Sequence, residues 1–173
     1  IRHILLPVSR SRVNVKVVDA STGQETETNE PGDPIGQHEV EELVRAFEEA
    51  LTRGPEWIIL AGSAPPIMPA DLYTHIIGRA RAMGAKTIVD TRGAWLKSSV
   101  SAKPDAIRLN AAEMARWAGH AIESPADAAD AARRMRTHGV GRVIVSKGKA
   151  WVLMVSAHGA WQAIPPSLHA VNA

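Results

Sequence analysis

The chain contains no cysteine, which excludes disulfides, thiolate nucleophiles and cysteine-ligated metals. Aromatic residues are scarce: five Trp, one Tyr and one Phe among 173 residues, so a core must rest on Ile, Val, Leu, Met and Ala. No apolar run approaches the roughly 18 residues that span a bilayer, and Ile4-Leu5-Leu6 is too short for a signal-peptide core. The expectation is a cytoplasmic protein without membrane contact. Neither sign of charge dominates, with 20 Lys and Arg against 18 Asp and Glu and a formal net charge of +2. The basic residues are scattered apart from Arg133-Arg134-Met135-Arg136, whose ordinary reading is a solvated helix face. Without a basic stripe interleaved with aromatics, no nucleic-acid partner is expected. The His residues show neither HxxxH nor HExxH spacing, so zinc has no support.

What the chain does have is 45% hydrophobic residues, enough for a packed core in a domain that buries roughly 70% of its unfolded surface. Four short apolar runs break off into small polar residues or glycine: Trp57 to Ser63, Thr87 to Gly93, Ala106 to Asn110 and Val143 to Gly148. Such runs read as buried parallel strands, and open α/β sheets bind ligands just beyond the carboxyl ends of their strands. Four polar tips facing one crevice suit a small anion. Helical spacing fills the intervals. It covers about 39–52 (Val40, Leu43, Val44, Phe47, Leu51), Pro69 to Met83, Ala94 to Ala102, a helix opening at Ala111, and Ser124-Pro125 to His138. Trp151–Val155 and Ala160–Ile164 form a hairpin around His158-Gly159. The fold class is therefore α/β with a largely parallel sheet.

Residues 13–19 differ in kind. Val13, Val15 and Val17 alternate with Asn14 and Lys16, which reads as a half-buried strand. A turn at Ser21-Thr22-Gly23-Gln24 and the alternation through Asn29 make it a hairpin outside the main sheet.

Several residues carry candidate chemistry, each beside an ordinary structural role. Asn110 and Glu113 fit a capping box at a strand-to-helix junction, yet the same oxygens suit water organised around Mg²⁺. Ser146-Lys147-Gly148 closes a strand where backbone N–H groups and a hydroxyl meet phosphate or ribose; a plain turn accounts for it equally. Gly62 and Ser63 open a rigid loop. Asp90 is a strand-end carboxylate that serves as base, ligand or local cap. Arg12, Asn14 and Lys16 suit a phosphorylated sugar or decorate an exposed edge.

In order and spacing these segments resemble the PfkB (ribokinase-like) carbohydrate kinases, on the 1-phosphofructokinase and tagatose-6-phosphate kinase branch. The matching stretches are Ser11 to Lys16 with the hairpin to Gly32, Ala61-Gly-Ser-Ala-Pro-Pro66, Val89-Asp-Thr-Arg-Gly93, Lys103 to Glu113, and Val143 to Gly148. The resemblance implies a three-layer α/β/α ribokinase-like domain spread over 1–173 and only partly present. Within it, about 11–32 would be a β-clasp lid and about 39–173 the α/β core. It implies ATP- and Mg²⁺-dependent phosphorylation of a sugar phosphate, and a homodimer through the lid hairpin. Arg12, Asn14, Lys16, Gly62 and Ser63 would face the substrate. Arg108, Asn110, Glu113, Ser146 and Gly148 would bind the nucleotide, with Asn110 and Glu113 acting on Mg²⁺ through water.

The family's catalytic Asp, in a Gly-Ala-Gly-Asp motif, is expected beyond Ala173. Arg108-Leu109 stands for the family's Lys-Pro, Lys147 for an apolar residue, and Trp151 sets a bulky side chain against the expected path of a nucleotide. Two readings follow: a sugar-phosphate kinase, or a non-catalytic relative that binds a sugar phosphate, a nucleotide or a partner chain.

Overall fold

The computed structural model describes residues 12–62, 68, 69 and 71–166. It divides into two units, one formed by the described residues up to Arg53 with 68 and 69, and one formed by Gly54–Gly62 with the chain from residue 71 onward.

In the first unit β1 (Asn14–Val18) pairs antiparallel with β2 (Glu25–Asn29), Asn14 lying opposite Asn29. The turn is locked by Asp19, whose carboxylate accepts hydrogen bonds from the Ser21 N–H, the Ser21 hydroxyl and the Thr22 N–H; these hold its pKa below the usual carboxylate value. The expected half-burial of β1 is corrected here. Val13, Val15 and Val17 are 51%, 49% and 59% exposed, because an antiparallel ribbon of two strands covers neither of its own faces. Helix α1 (Gln37–Leu51) follows, with Val40, Leu43, Val44, Phe47 and Leu51 on one stripe.

In the second unit six strands run in sequence order: β3 (Trp57–Ala61), β4 (Lys86–Asp90), β5 (Ala106–Asn110), β6 (Arg142–Lys147), β7 (Trp151–Ser156) and β8 (Gly159–Ala163). The first four are parallel; β7 and β8 return antiparallel. The helices are α2 (Leu72–Ala82), α3 (Gly93–Ser101), α4 (Ala111–Ala118) and α5 (Pro125–Thr137). A sheet whose parallel strands follow one another in order, joined by right-handed crossovers, receives all its crossover helices on one face.

The burial pattern agrees. Leu60, Val89, Ile107, Leu109, Val143, Val145, Leu153 and Val155 alternate onto a buried face. They lie with Ile76 and Ile77 of α2, Leu96 and Val100 of α3, Met114 of α4, and the alanines and Met135 of α5 in the buried core. Alanine on α5 lets that helix sit close on β6 and β7. The opposite face carries Ile59, Ile88, Arg108, Ile144 and Met154, none of them buried. The reading of all four apolar runs as buried strands needs one correction: among the described residues β3 stands at the edge of this sheet, and its Ile59 is 68% exposed.

Candidate functional site

The register sets the strand tips level. Ala61 lies opposite Asp90 and Asn110 opposite Ser146. The Gly62 N–H donates to the Asp90 carbonyl at 3.1 Å, and the Thr91 hydroxyl donates to the Gly62 carbonyl at 3.2 Å. Gly62 has φ +99°, a conformation that favours glycine at the bend leaving β3. Arg108, two residues before the tip of β5, reaches to both sides. Its guanidinium donates to Asp90 Oδ2 at 3.2 Å and to Ser146 Oγ at 3.1 Å. Hydrogen bonds thus link the tips of β3, β4 and β6 along one rim, with Arg108 as its centre.

Asn110 ends β5 and begins α4. Its Oδ1 accepts from the Glu113 N–H and Glu113 Oε2 accepts from the Asn110 N–H, both at 2.8 Å. The capping box is therefore real. Glu113 Oε1 is the oxygen left over. The box starts α4 at the rim, and Gly119 (φ +79°) ends the helix in the left-handed conformation.

Beside this junction lies an open groove of about 490 Å³, bordered by Asn110, Ala111, Ala112, Ala115, Ser146 and Gly148. The structure so brings three of the nucleotide-side candidates, Asn110, Ser146 and Gly148, onto one cavity, with Arg108 bonded to Ser146. Gly148 has φ +50° and open space where a Cβ would point, so the chain turns tightly and leaves backbone facing the groove.

Lys147 also borders the groove, and its ammonium donates to the carbonyls of Ile122 and Glu123 at 3.2 and 2.8 Å. Nothing local in the sequence links residue 147 to carbonyls more than twenty positions earlier, so this tether was invisible there. Trp151 corrects an expectation. It is 6% exposed and lies on the helix-covered face with Leu153 and Val155, because it pairs with Lys147 rather than with Ser146. It does not line the groove.

On the hairpin, Asn14 and Lys16 share one face as expected. That face also holds Glu25, Glu27 and Asn29 by register. Lys16 Nζ is 2.8 Å from Glu25 Oε2, and this contact holds the lysine pKa above its usual value. Its ammonium thus already has a carboxylate partner at the surface, with further N–H donors left over. Arg12 borders a separate small hollow with Glu30 and Asp33. Ser63 lies outside the described residues. Among the described residues no three His, Asp or Glu side chains converge as a metal cluster, and no helix is long and apolar enough to cross a membrane.

A largely parallel sheet with a polar rim at its carboxyl ends and a capped helix beside it is an open α/β fold, a class that takes ligands beyond its strand ends. Comparison with known proteins makes the class specific. The pattern of the "pfkB family carbohydrate kinase" matches residues 5–173. The chain belongs to that family.

It is 34% identical to the 1-phosphofructokinase of Rhodobacter capsulatus over 157 residues, covering 91% of this chain and 50% of that protein. With the 1-phosphofructokinase of Xanthomonas campestris it shares 30% over 162 residues, covering 91% and 51%. Among solved structures, phosphofructokinase-2 from Escherichia coli in complex with fructose-6-phosphate superposes with a TM-score of 0.75 at 25% identity, covering 92% of this chain and 52% of that one. The fold is thus the ribokinase-like α/β fold with its small hairpin sheet. The chain spans about half the length of the curated relatives it matches.

Proposed function

We propose that the chain works in ATP-dependent phosphorylation of a sugar phosphate, fructose 1-phosphate or tagatose 6-phosphate, in the cytoplasm. The observation that carries this reading is the groove on which Asn110, Ser146 and Gly148 meet. Phosphoryl transfer demands positioning and charge neutralisation more than covalent help. The Ser146 hydroxyl and the backbone at Gly148 offer donors to nucleotide phosphates, while the alanines of α4 give the base or ribose a smooth wall. Arg108, fixed by Asp90 and Ser146, presents a cation at the rim.

The donor set fits Mg²⁺ held through water: hard oxygens from Glu113 and Asn110 stand together, too few and too engaged in the capping box for direct chelation. Bound there, the ion would neutralise charge on the transferring phosphate. Arg12, Asn14, Lys16, Gly62 and Ser63 would form the substrate side, the hairpin acting as lid. Its exposed valine face (Val13, Val15, Val17) is the surface we assign to a second copy of the chain, since a self-complementary apolar strip suits a two-fold contact.

A second reading is a non-catalytic relative that binds a sugar phosphate, a nucleotide or a partner chain; the Lys16–Glu25 ion pair on the lid hairpin is the observation that suits it. Calorimetric titration with Mg²⁺–ATP and with each sugar phosphate tests the proposal. Binding of the nucleotide and of at least one sugar phosphate supports it. Nucleotide binding without any sugar phosphate supports the second reading, and no nucleotide binding overturns the kinase reading.

A further inference from the structure

Helix α4 separates two cavities. Ala111, Ala112 and Ala115 face the groove described above, while Glu113, Arg116 and Trp117 border a second cavity of about 500 Å³ on the α3 side. Its other walls are Arg92, Leu96 and Lys97, with Gly93 and Ala94 at the start of α3. A volume of this size lies in the range of small-molecule sites, about 300–1,000 Å³.

Its charge is unbalanced. Among the described residues Arg92, Lys97 and Arg116 make no hydrogen bond and no ion pair with any carboxylate. The one acid present, Glu113, turns Oε2 into its own capping box. The first turn of α3 opens on the same cavity without a side-chain cap at Arg92, leaving its N–H groups to an external acceptor. Three cations against one carboxylate leave the cavity with a net positive charge, which an anion placed among them offsets. The remaining wall is apolar: Leu96 is buried, and the Trp117 ring is held edge-on by His138 at 5.9 Å between centroids.

We propose that this cavity is a second anion site, separate from the nucleotide groove, and that it takes a small phosphomonoester. The phosphate would lie among Arg92, Lys97, Arg116 and the free N–H groups of α3, where three oxygens can be shared by several charged donors. The ester's carbon portion would lie against Leu96 and Trp117. The site uses none of the substrate-side residues, so it stands whether or not the kinase reading holds.

The probe is glycerol 3-phosphate, titrated into the ¹⁵N-labelled chain. Shifts of the Gly93, Ala94, Arg116 and Trp117 amides and the Trp117 indole N–H are expected. Arg116→Gln and Arg92→Gln, both exposed, should each weaken binding about tenfold, as loss of one charge-assisted contact does. Ala112→Trp, which fills the other side of α4, should leave the affinity unchanged, and so should Arg133→Gln on the solvated face of α5. Thermal melts matching the parent chain confirm that each variant is folded. No shift at these amides, equal weakening by Arg133→Gln, or abolition by Ala112→Trp would each overturn the proposal; the last would place the anion in the nucleotide groove instead.

Discussion

Arg108 is the residue on which the rim depends. Its guanidinium joins the tips of β4 and β6, and both contacts are made on the sheet face that α2–α5 leave open. The ion pair with Asp90 is about half exposed on both sides, so its contribution to stability is small, about 0–1 kcal/mol. Arg108→Ala is therefore expected to shift the melting temperature little, yet to weaken nucleotide binding about tenfold by removing a charge from the rim. A calorimetric titration beside a melt separates the two effects.

Gly141 is the opposite case. A Cβ there would lie 2.6 Å from the Asp105 carbonyl oxygen, on backbone that the Gly141 and Arg142 N–H groups bind as β6 begins. Gly141→Ala should destabilise the fold by about 1–3 kcal/mol with no direct effect on the groove, measurable by urea unfolding.

Among the elements, α4 shows how one sequence motif serves fold and site together. Asn110→Ala removes the cap and should cost about 0.5–2 kcal/mol, whereas Glu113→Gln keeps an acceptor for the Asn110 N–H and removes only the charge. If Glu113 acts on Mg²⁺, Glu113→Gln lowers Mg²⁺–ATP affinity at nearly constant melting temperature, and an equal loss of ATP binding with and without Mg²⁺ would contradict that role.

Helix α5 gives a pH test. Asp127 accepts from the Ser124 and Glu123 N–H groups at the helix start, and these hydrogen bonds hold its carboxyl below the usual value of 3.8. A carboxyl whose folded pKa is lowered stabilises the fold above its unfolded pKa and loses that contribution as pH falls through the lower folded value. Asp127→Asn should flatten the stability loss of the parent chain below about pH 4, and leave stability above about pH 5 without a comparable pH slope.

At the scale of the whole molecule, strand tips, helix spacing and the Asn110–Glu113 box were legible because each is local. Apolar runs ending in glycine or small polar residues mark strand ends, and a residue at N-cap with its acid at N3 marks a helix start. Exposure was not legible. Trp57 and Ile59 read like any buried strand, but their position at the sheet edge is fixed by strand order, which alternation does not encode. The hairpin valines read as half-buried because alternation does not reveal that their two-stranded ribbon has nothing packed on it among the described residues. Trp151 looked obstructive until register placed it opposite Lys147, on the core side. The cavity of Arg92, Lys97 and Arg116 joins two helices some twenty positions apart in sequence, and no spacing rule reports it.

The central claim is that the groove beside α4 holds a nucleotide. Amide chemical-shift mapping with Mg²⁺–ADP tests it most directly. The account predicts saturable shifts centred on Asn110, Ala112, Ala115, Ser146 and Gly148; no shift at millimolar nucleotide, or saturable shifts centred elsewhere with these five unmoved, would contradict it.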